Sequence, residues 1–229
     1  MNNLITGVSS GLGKALSDEY LNLGYQVYGL SRTSAKDTNH VSCDLNNLES
    51  IINKLEILLD GVYEIENVIL NAGILGKIKL IKEWNTREIN NIMNTNMWSN
   101  KIIIDWLINN KKLKNVVAIS SGASNKTYKG WLGYSISKAA LNMLIQNYST
   151  EFSNINFCSL APGLVETDMQ KHIRNNIDEN KFSWVKKFKS AKESGDVKSP
   201  NDVAKNIIKV IEKLSEYDNG QFIDVRDLR

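Results

Sequence analysis

The sequence is poor in cysteine and proline, and it contains no long hydrophobic run. Its two cysteines, Cys43 and Cys158, lie far apart and form no CxxC pair, which argues against a metal-binding or disulfide-linked scaffold. Only Pro162 and Pro200 occur, and no low-complexity linker divides the chain. Because no apolar stretch approaches the roughly 20 residues that a membrane span needs, we expect no association with a membrane.

Charge of one sign is also scarce, since the formal net charge over 229 residues is only +3. Such a small, scattered excess predicts no nucleic-acid partner. His40 and His172 lack the spacing of a Ser-His-Asp triad or a metal site, so we expect no bound metal. Residues 1–7 have neither the charged start nor the apolar core of a secretory signal, and we expect a cytoplasmic protein.

Short apolar runs alternate with longer helical patterns along the whole chain, which is typical of repeated βαβ units. The pattern predicts an α/β fold, with a Rossmann-type doubly wound parallel sheet of about seven strands and helices on both faces. We expect one domain over residues 1–229. Strands are predicted near 2–6, 25–30, 39–43, 67–71, 114–120, 155–160 and 220–225, and helices near 12–23, 47–59, 85–110, 132–152 and 199–215.

Residues 164–198 interrupt this alternation between the sixth strand and the last helix. The segment combines helical spacing with the exposed-looking aromatics Phe182, Trp184 and Phe188. Long insertions of this kind are commonly functional, which suggests a lid over the substrate. A pair of surface helices packed by the same aromatics is the alternative, and the sequence leaves both open.

A glycine-rich turn follows the first predicted strand and opens the first helix. Its spacing, TGxxxGxG over residues 6–13, allows a tight turn whose backbone N–H groups approach a pyrophosphate at the positive end of a helix. The turn therefore predicts a dinucleotide cofactor. The residues expected to bind it here are Thr6, Gly7, Ser9, Ser10, Gly11, Leu12 and Gly13.

Two further strand ends support the same prediction, because ligands of open α/β sheets bind at the carboxyl ends of strands. Asp44 and Leu45 follow the third strand, where the carboxylate is placed to bind the adenine. Asn71, Ala72 and Gly73 follow the fourth, where small residues leave room for a ribose. Capping of the next helix is the alternative role for Asp44 and Asn71.

The end of the second strand bears on the choice of cofactor. NAD-binding sites usually carry an acid there, about 20 residues after the glycines, whereas this chain has Ser31, Arg32 and Thr33. A guanidinium can form charge-assisted bonds with a 2′-phosphate, aided by the two hydroxyls. We therefore expect NADPH as the preferred cofactor, with NAD possible and with a plain surface role as the alternative for Arg32.

Tyr134 and Lys138 lie four residues apart and so share one face of a predicted helix. A free tyrosine has a pKa of about 10, and a nearby lysine cation favours the phenolate and lowers that value. The pair is then suited to give a proton to an alkoxide that forms from a carbonyl. Chance surface placement is the alternative for so short a motif.

Other residues complete a candidate catalytic set. Ser121 ends the fifth strand, where its hydroxyl can bind a substrate oxygen as charge builds on it. Asn96 lies inside a long predicted helix, where asparagine is usually exposed, and here we expect it to hold a water linking Lys138 to solvent. After the sixth strand, the cofactor site is expected to include Pro162, Gly163, Val165 and Thr167, the last of them at the carboxamide of the nicotinamide.

Taken in order, these motifs resemble those of the short-chain dehydrogenases/reductases over nearly the whole chain. The resemblance implies a Rossmann sheet, a nicotinamide cofactor, the catalytic roles given above, and binding of the nicotinamide ribose by Lys138. The matching pieces are TGxxxGxG at 6–13, NAG at 71–73, Asn96, Ser121, YxxxK at 134–138 and PG at 162–163.

Three segments resemble one branch of that family more narrowly. Residues 128–131, 162–170 and 220–225 are similar to those of the bacterial benzil reductase and sepiapterin reductase-like branch. The resemblance implies an NADPH-dependent reductase of small ketones or diketones, with Tyr134 as the proton donor. An alcohol, sugar or hydroxyacyl dehydrogenase and a non-catalytic NADPH-sensing module are the alternatives.

The substrate pocket and the assembly complete the predictions. Apolar side chains in the second half of the chain can line a pocket for an aromatic or extended ketone, although packing of the lid is an alternative role. No long insertion separates Ser121 from Tyr134, which favours a homodimer or homotetramer built on the long helices. The apolar set is Tyr128, Trp131, Met169, Phe182 and Trp184.

Overall fold

The computed structural model describes residues 1–227. Within this part of the chain seven strands run parallel in a single sheet. The strands are β1 (Asn2–Thr6), β2 (Gln26–Ser31), β3 (Asn39–Ser42), β4 (Glu64–Leu70), β5 (Lys112–Ile119), β6 (Asn156–Ala161) and β7 (Phe222–Asp224).

Helices cover both faces of this sheet, and the doubly wound fold predicted from the sequence is confirmed. No helix within residues 1–227 is long and apolar enough to cross a membrane. The helices are α1 (Gly11–Asn22), α2 (Ile51–Leu58), α3 (Thr86–Met93), α4 (Ser99–Asn110), α5 (Leu132–Glu151), α6 (Asp168–Asn176), α7 (Val185–Glu193) and α8 (Pro200–Glu212).

The strand order is β3-β2-β1-β4-β5-β6-β7, so the direction of winding reverses between β1 and β4. At such a point the loops after two neighbouring strands turn to opposite faces and leave a crevice at their carboxyl ends. The glycine-rich turn follows β1, and the Asn-Ala-Gly segment follows β4. The fold therefore brings these two motifs to the same crevice.

The core lies in two layers because successive side chains of a strand point to opposite faces. On β4, Val68 and Leu70 pack with α2, α4 and α5, whereas Ile69 packs with α1 and α8. Cys43 lies in the first layer and Cys158 in the second, and both are buried free thiols. The two thiols thus lie on opposite faces of the sheet.

The single helix predicted over residues 85–110 is wrong in one respect. The chain forms α3 and α4 with a π-helical turn, Asn94–Trp98, between them. A π-turn inserts a residue into the α-helical hydrogen-bond ladder and so rotates the side chains that follow it. Hydrophobic periodicity alone does not reveal such a short change of helical pitch.

Residues 164–198 contain the helix pair α6 and α7. The description of Phe182, Trp184 and Phe188 as exposed is wrong, because all three side chains are less than a tenth exposed. They pack in a third cluster with Trp131 and Tyr134, at the carboxyl edge of the sheet. The segment thus packs against the start of α5.

A ladder of asparagine side chains crosses four neighbouring strands near their amino ends. Asn67 donates to the side-chain oxygen of Asn3 at 2.9 Å, Asn115 donates to that of Asn67 at 2.8 Å, and Asn156 donates to that of Asn115 at 2.9 Å. The four residues are paired in register from β1 to β6. The ladder thus pairs the side chains of neighbouring strands in a region that is mostly closed to water, although the Asn3 Nδ2 at its end has no partner among the described residues.

We expect Asn67→Ala to lower the free energy of unfolding by about 2–4 kcal/mol, because it leaves buried groups of both Asn3 and Asn115 without a partner. Urea denaturation at unchanged slope measures the loss. The matched control is Asn156→Ala at the half-buried end of the ladder. It leaves only Asn115 without a partner, so it should lower the free energy of unfolding by about half as much. A loss for Asn67→Ala no larger than that of the control would contradict this account.

Candidate active site

The turn after β1 is fastened to the segment after β4. The Asn71 side chain donates to the Thr6 carbonyl oxygen at 3.0 Å, and the Ala72 amide donates to the Thr6 hydroxyl at 3.0 Å. A Cβ on Gly13 would lie 2.1 Å from the Gly7 carbonyl oxygen, so no side chain fits there. Glycine at position 13 therefore allows the first helix to pack directly on the turn.

The amino end of α1 is open to the crevice. Gly7 and Gly11 have φ values of 75° and 54°, a region that L-residues with side chains rarely adopt. Ser10 precedes the helix, and among the described residues its side chain caps none of the first amides. The first turn contains no acidic residue. These amides and the helix dipole together suit an anion such as a pyrophosphate.

One cavity of about 600 Å³ extends from the glycine-rich turn to α5. Most residues that the sequence assigns to cofactor binding or catalysis line it. Thr6, Gly13 and Asn96 do not, and they support the wall from behind. The assigned residues that line the cavity are Gly7, Ser9, Ser10, Gly11, Leu12, Ser31, Arg32, Asp44, Leu45, Asn71, Ala72, Gly73, Ser121, Tyr134, Lys138, Pro162, Gly163, Val165 and Thr167.

At the end of β2 an exposed guanidinium faces this cavity. Arg32 is solvent-exposed and lines the cavity, with no acid in the adjoining positions 29–34. The Ser31 hydroxyl, expected to assist it, donates instead to the Thr33 carbonyl oxygen at 2.7 Å. Asp44 also lines the cavity, but its carboxylate accepts the Asn46 amide at 3.0 Å, which is a local capping contact. Arg32 thus provides a positively charged side chain at this end of the cavity.

Tyr134 and Lys138 both project from α5 into the buried end of the cavity. The lysine Nζ lies 5.9 Å from the centroid of the tyrosine ring and donates to the Ile119 carbonyl oxygen at 2.7 Å. A Cβ on Gly73 would lie 3.4 Å from the same Nζ. The glycine at the end of the Asn-Ala-Gly segment leaves space directly beside the ammonium group.

Burial shifts both titrating groups towards their neutral forms. It raises the pKa of the Tyr134 hydroxyl above its ordinary value, and the hydrogen bond with Ser121 acts in the opposite direction. Burial lowers the pKa of Lys138 to about 8. The expectation that the lysine lowers the pKa of Tyr134 is wrong in this structure, because desolvation dominates and the ammonium is bound to Ile119.

Asn96 differs most from its predicted surroundings. It lies in the π-helical turn and is fully buried, and its side chain pairs with both the amide and the carbonyl of Ile74, at 2.8 and 2.9 Å. It also donates to the Ser137 hydroxyl at 2.9 Å, and that hydroxyl donates to the Tyr134 carbonyl. Asn96 thus ties the loop after β4 to the helix that carries Tyr134, and the water expected between it and Lys138 stays a prediction.

Asn142 was missed by the sequence analysis, although it fixes the loop that carries Ser121. Its side chain accepts from the Ser120 hydroxyl at 2.5 Å and donates to the Ser124 hydroxyl at 2.9 Å. Ser124 in turn donates to the Ser121 carbonyl oxygen at 2.7 Å. The signal for Asn142 was its register, since it lies four residues beyond Lys138 on the same face of α5.

Aromatic side chains form the wall of the cavity opposite the glycine-rich turn. Trp131 packs against Tyr134 with ring centroids 5.5 Å apart, and Tyr128 lies 5.0 Å from Trp131. Of the predicted pocket residues, Tyr128, Trp131 and Met169 line the cavity. Phe182 and Trp184 are not among its lining residues and pack behind Trp131, where Trp184 donates to the Lys129 carbonyl at 2.8 Å. Phe188 also lines the cavity and was not predicted.

Comparison with protein families gives a clear result. The family model described as short chain dehydrogenase matches residues 2–178, which is most of the chain. The protein belongs to the short-chain dehydrogenases/reductases. It is therefore an oxidoreductase, of a family whose members use NAD or NADP, as the glycine-rich turn and the YxxxK motif predict.

Two bacterial relatives and one solved structure are similar along nearly the whole chain. The benzil reductase ((S)-benzoin forming) of Bacillus subtilis is 32% identical, with 98% of each chain covered. Its counterpart from Bacillus cereus is 30% identical, over 97% of this chain and 98% of that one. A short-chain dehydrogenase/reductase from Saccharomyces cerevisiae superimposes with a TM-score of 0.88 at 26% identity, covering 99% of this chain and 96% of that one.

Proposed function

We propose that this short-chain dehydrogenase/reductase is an NADPH-dependent carbonyl reductase that acts on small ketones or diketones. The observation that carries the proposal is one continuous cavity. It joins an anion-binding helix end and an exposed arginine to a buried tyrosine, lysine and serine beneath an aromatic wall. Two relatives named benzil reductases, at 30–32% identity over nearly the full length, support a carbonyl substrate.

The residues at the helix end of the cavity fit a dinucleotide. The amides at the start of α1 bind the pyrophosphate, and the close contact of Gly13 with Gly7 keeps that surface free of side chains. Arg32 binds the 2′-phosphate that distinguishes NADPH from NADH. Gly73 leaves room beside Lys138, whose ammonium group binds the nicotinamide ribose. When bound there, NADPH supplies a hydride to the carbonyl carbon of the substrate.

At the other end of the cavity the protein supplies the proton. The Tyr134 hydroxyl is protonated near neutral pH, since burial disfavours its phenolate form and raises its pKa, and it gives its proton to the alkoxide oxygen. Ser121 donates a hydrogen bond to the same oxygen as negative charge builds on it. Asn96 and Asn142 touch neither reacting group and act as positioning residues, for α5 and for the Ser121 loop.

The wall above these groups favours an apolar substrate. Tyr128, Trp131, Met169 and Phe188 present aromatic and thioether surface to the cavity. Such surface binds an aromatic or extended ketone by excluding water from both partners. Because the helix pair α6 and α7 carries part of this wall, we also propose that residues 164–198 act as the substrate lid.

Replacement of the proposed proton donor tests the reaction. We expect Tyr134→Phe to reduce kcat for benzil with NADPH by about 100-fold or more, because general acid catalysis contributes a factor of this size. NADPH binding, followed by fluorescence titration, should stay within about threefold of the wild type, a change of less than 1 kcal/mol.

The matched control is Tyr148→Phe, which removes a phenol from the same helix outside the cavity. This variant should retain most of the wild-type turnover. A Tyr134→Phe enzyme that keeps more than about a tenth of the wild-type kcat would refute the proposed donor, since such a loss is below the range of general acid catalysis.

Cofactor preference is tested at the end of β2. We expect Arg32→Ala to raise the Kd of NADPH by about 10-fold or more, since a charge-assisted hydrogen bond to phosphate is lost, and to leave the Kd of NADH nearly unchanged. Lys36→Ala removes a nearby exposed cation that does not line the cavity and should affect neither cofactor. Equal weakening of NADPH and NADH by Arg32→Ala would show that Arg32 does not recognise the 2′-phosphate.

We further propose that the protein assembles through α5 as a homodimer, or as a homotetramer made of two such dimers. Trp98, Ile136 and Met143 are 44%, 45% and 59% exposed on α5 and on the π-helical turn that packs beside it. Large apolar side chains this exposed near one helix are suited to contact a second copy.

We expect the double variant Ile136→Glu/Met143→Glu to halve the mass measured by light scattering, because buried glutamates without partners oppose association. Ile57→Glu, at an equally exposed apolar position on a different helix, α2, is the control and should leave the mass unchanged. A monomeric wild-type protein, or an unchanged mass for the double variant, would rule out this assembly.

A further inference from the structure

The last turn of the described chain brings a guanidinium into the active-site cavity. Arg226 follows β7 and lines the cavity at its substrate end. Its Cγ and Cδ would lie 3.3 Å from a Cβ on Gly163, and its Nη2 would lie 3.4 Å from a Cβ on Gly122. Gly122 directly follows Ser121, and Gly163 belongs to the loop after β6. The side chain of Arg226 therefore lies between the two loops that border the reacting groups.

An aspartate on β7 fixes the direction of this guanidinium. Arg226 donates from Nε to the Asp224 Oδ1 at 2.8 Å, and from Nη2 to Oδ2 at 2.5 Å, in a two-point contact. The ion pair lowers the pKa of the Asp224 carboxyl, whose side chain is only 10% exposed, so the pair stays ionised near neutral pH. A forked contact of this kind defines the plane of the guanidinium as well as its position.

Part of the hydrogen-bonding capacity of Arg226 is left over. A guanidinium carries five N–H donors, and the contact with Asp224 uses two of them. Among residues 1–227 the remaining donors of this guanidinium have no protein acceptor. The side chain is 52% exposed, so stabilisation of the fold by this ion pair is small. The arrangement thus leaves oriented donors beside the loop that carries Ser121.

We propose that Arg226 binds a second carbonyl oxygen of the substrate and so selects 1,2-dicarbonyl compounds over monoketones. This inference rests on the carbonyl reduction proposed above. One substrate oxygen is held by Ser121 and Tyr134, and the neighbouring oxygen accepts a hydrogen bond from Arg226. Because Asp224 balances the charge of Arg226, the pair offers oriented donors without a net positive charge. A neutral second carbonyl therefore fits this position better than a carboxylate does.

The test compares two matched substrates with NADPH, 1-phenyl-1,2-propanedione and propiophenone, which differ in one carbonyl group. We expect Arg226→Met to lower the ratio of kcat/KM for the dione to kcat/KM for the monoketone by about 10- to 100-fold. This is the range expected for the loss of one hydrogen bond to a charged group. The Kd of the dione for the NADP⁺ complex, followed by intrinsic tryptophan fluorescence, to which the cavity residue Trp131 contributes, should rise by a similar factor.

Two variants and one further substrate complete the design. Lys126→Met removes an exposed cation near Asp224 that does not line the cavity, and it should leave the ratio unchanged. Arg226→Lys keeps the charge but loses the forked contact, and it should recover only part of the ratio. Benzoylformate replaces the second carbonyl by a carboxylate. We expect the wild type to use it less well than the dione.

Each outcome decides between the two proposals. An unchanged ratio in an Arg226→Met protein that still binds NADPH would overturn the role of Arg226 while the carbonyl reductase stands. A wild-type preference for benzoylformate would assign the position to keto acids and overturn the neutral dicarbonyl. A wild-type enzyme that reduces none of the three compounds would contradict the proposed function, and the inference about Arg226 would fall with it.

Discussion

The contact between the turn after β1 and the segment after β4 is the constraint on which the rest of the site depends. Asn71 and Ala72 both donate to Thr6 across the point where the winding of the sheet reverses, and Gly13 lets α1 pack directly on the same turn. These contacts fix the open helix end relative to Gly73 and therefore to the ammonium group of Lys138 beside it. The contact between the segments that follow two neighbouring parallel strands thus fixes the distance between the two ends of the cavity.

Burial gives the other end of the cavity its chemistry. Tyr134 and Lys138 are nearly inaccessible to water, and the removal of water favours the uncharged form of each. Two buried asparagines near them have their side chains paired. Asn96 bonds to Ile74 and Ser137, and Asn142 connects Ser120 to Ser124. Those pairings hold α5 and the Ser121 loop in place, so desolvation and rigidity have one structural origin.

Much of the fold and the site could be predicted because the information is local in sequence. The glycine spacing of residues 6–13, the strand ends, and the four-residue interval from Tyr134 to Lys138 each report one turn or one helix face. Asn96 could not be predicted in detail, because its burial depends on a π-helical turn and on a loop from β4. The burial of Phe182 and Trp184 could not be predicted for a similar reason, since it depends on their packing with Trp131 and Tyr134, which are distant in sequence.

The place of Arg226 in the site also could not be predicted from local sequence, and its position bears on substrate specificity. Nothing in the sequence near Asp224 and Arg226 marks them as part of the site, since β7 reaches the cavity only by pairing with β6 at the edge of the sheet. The cavity consequently has walls of two kinds. Aromatic rings from residues 128–131 and from α7 exclude water on one side, and Arg226 offers oriented donors on the other. An apolar wall binds many ketones with little discrimination, whereas oriented donors strengthen the binding only of a ligand that brings an acceptor to them. In the proposed reductase, selection among carbonyl compounds therefore depends on the polar wall.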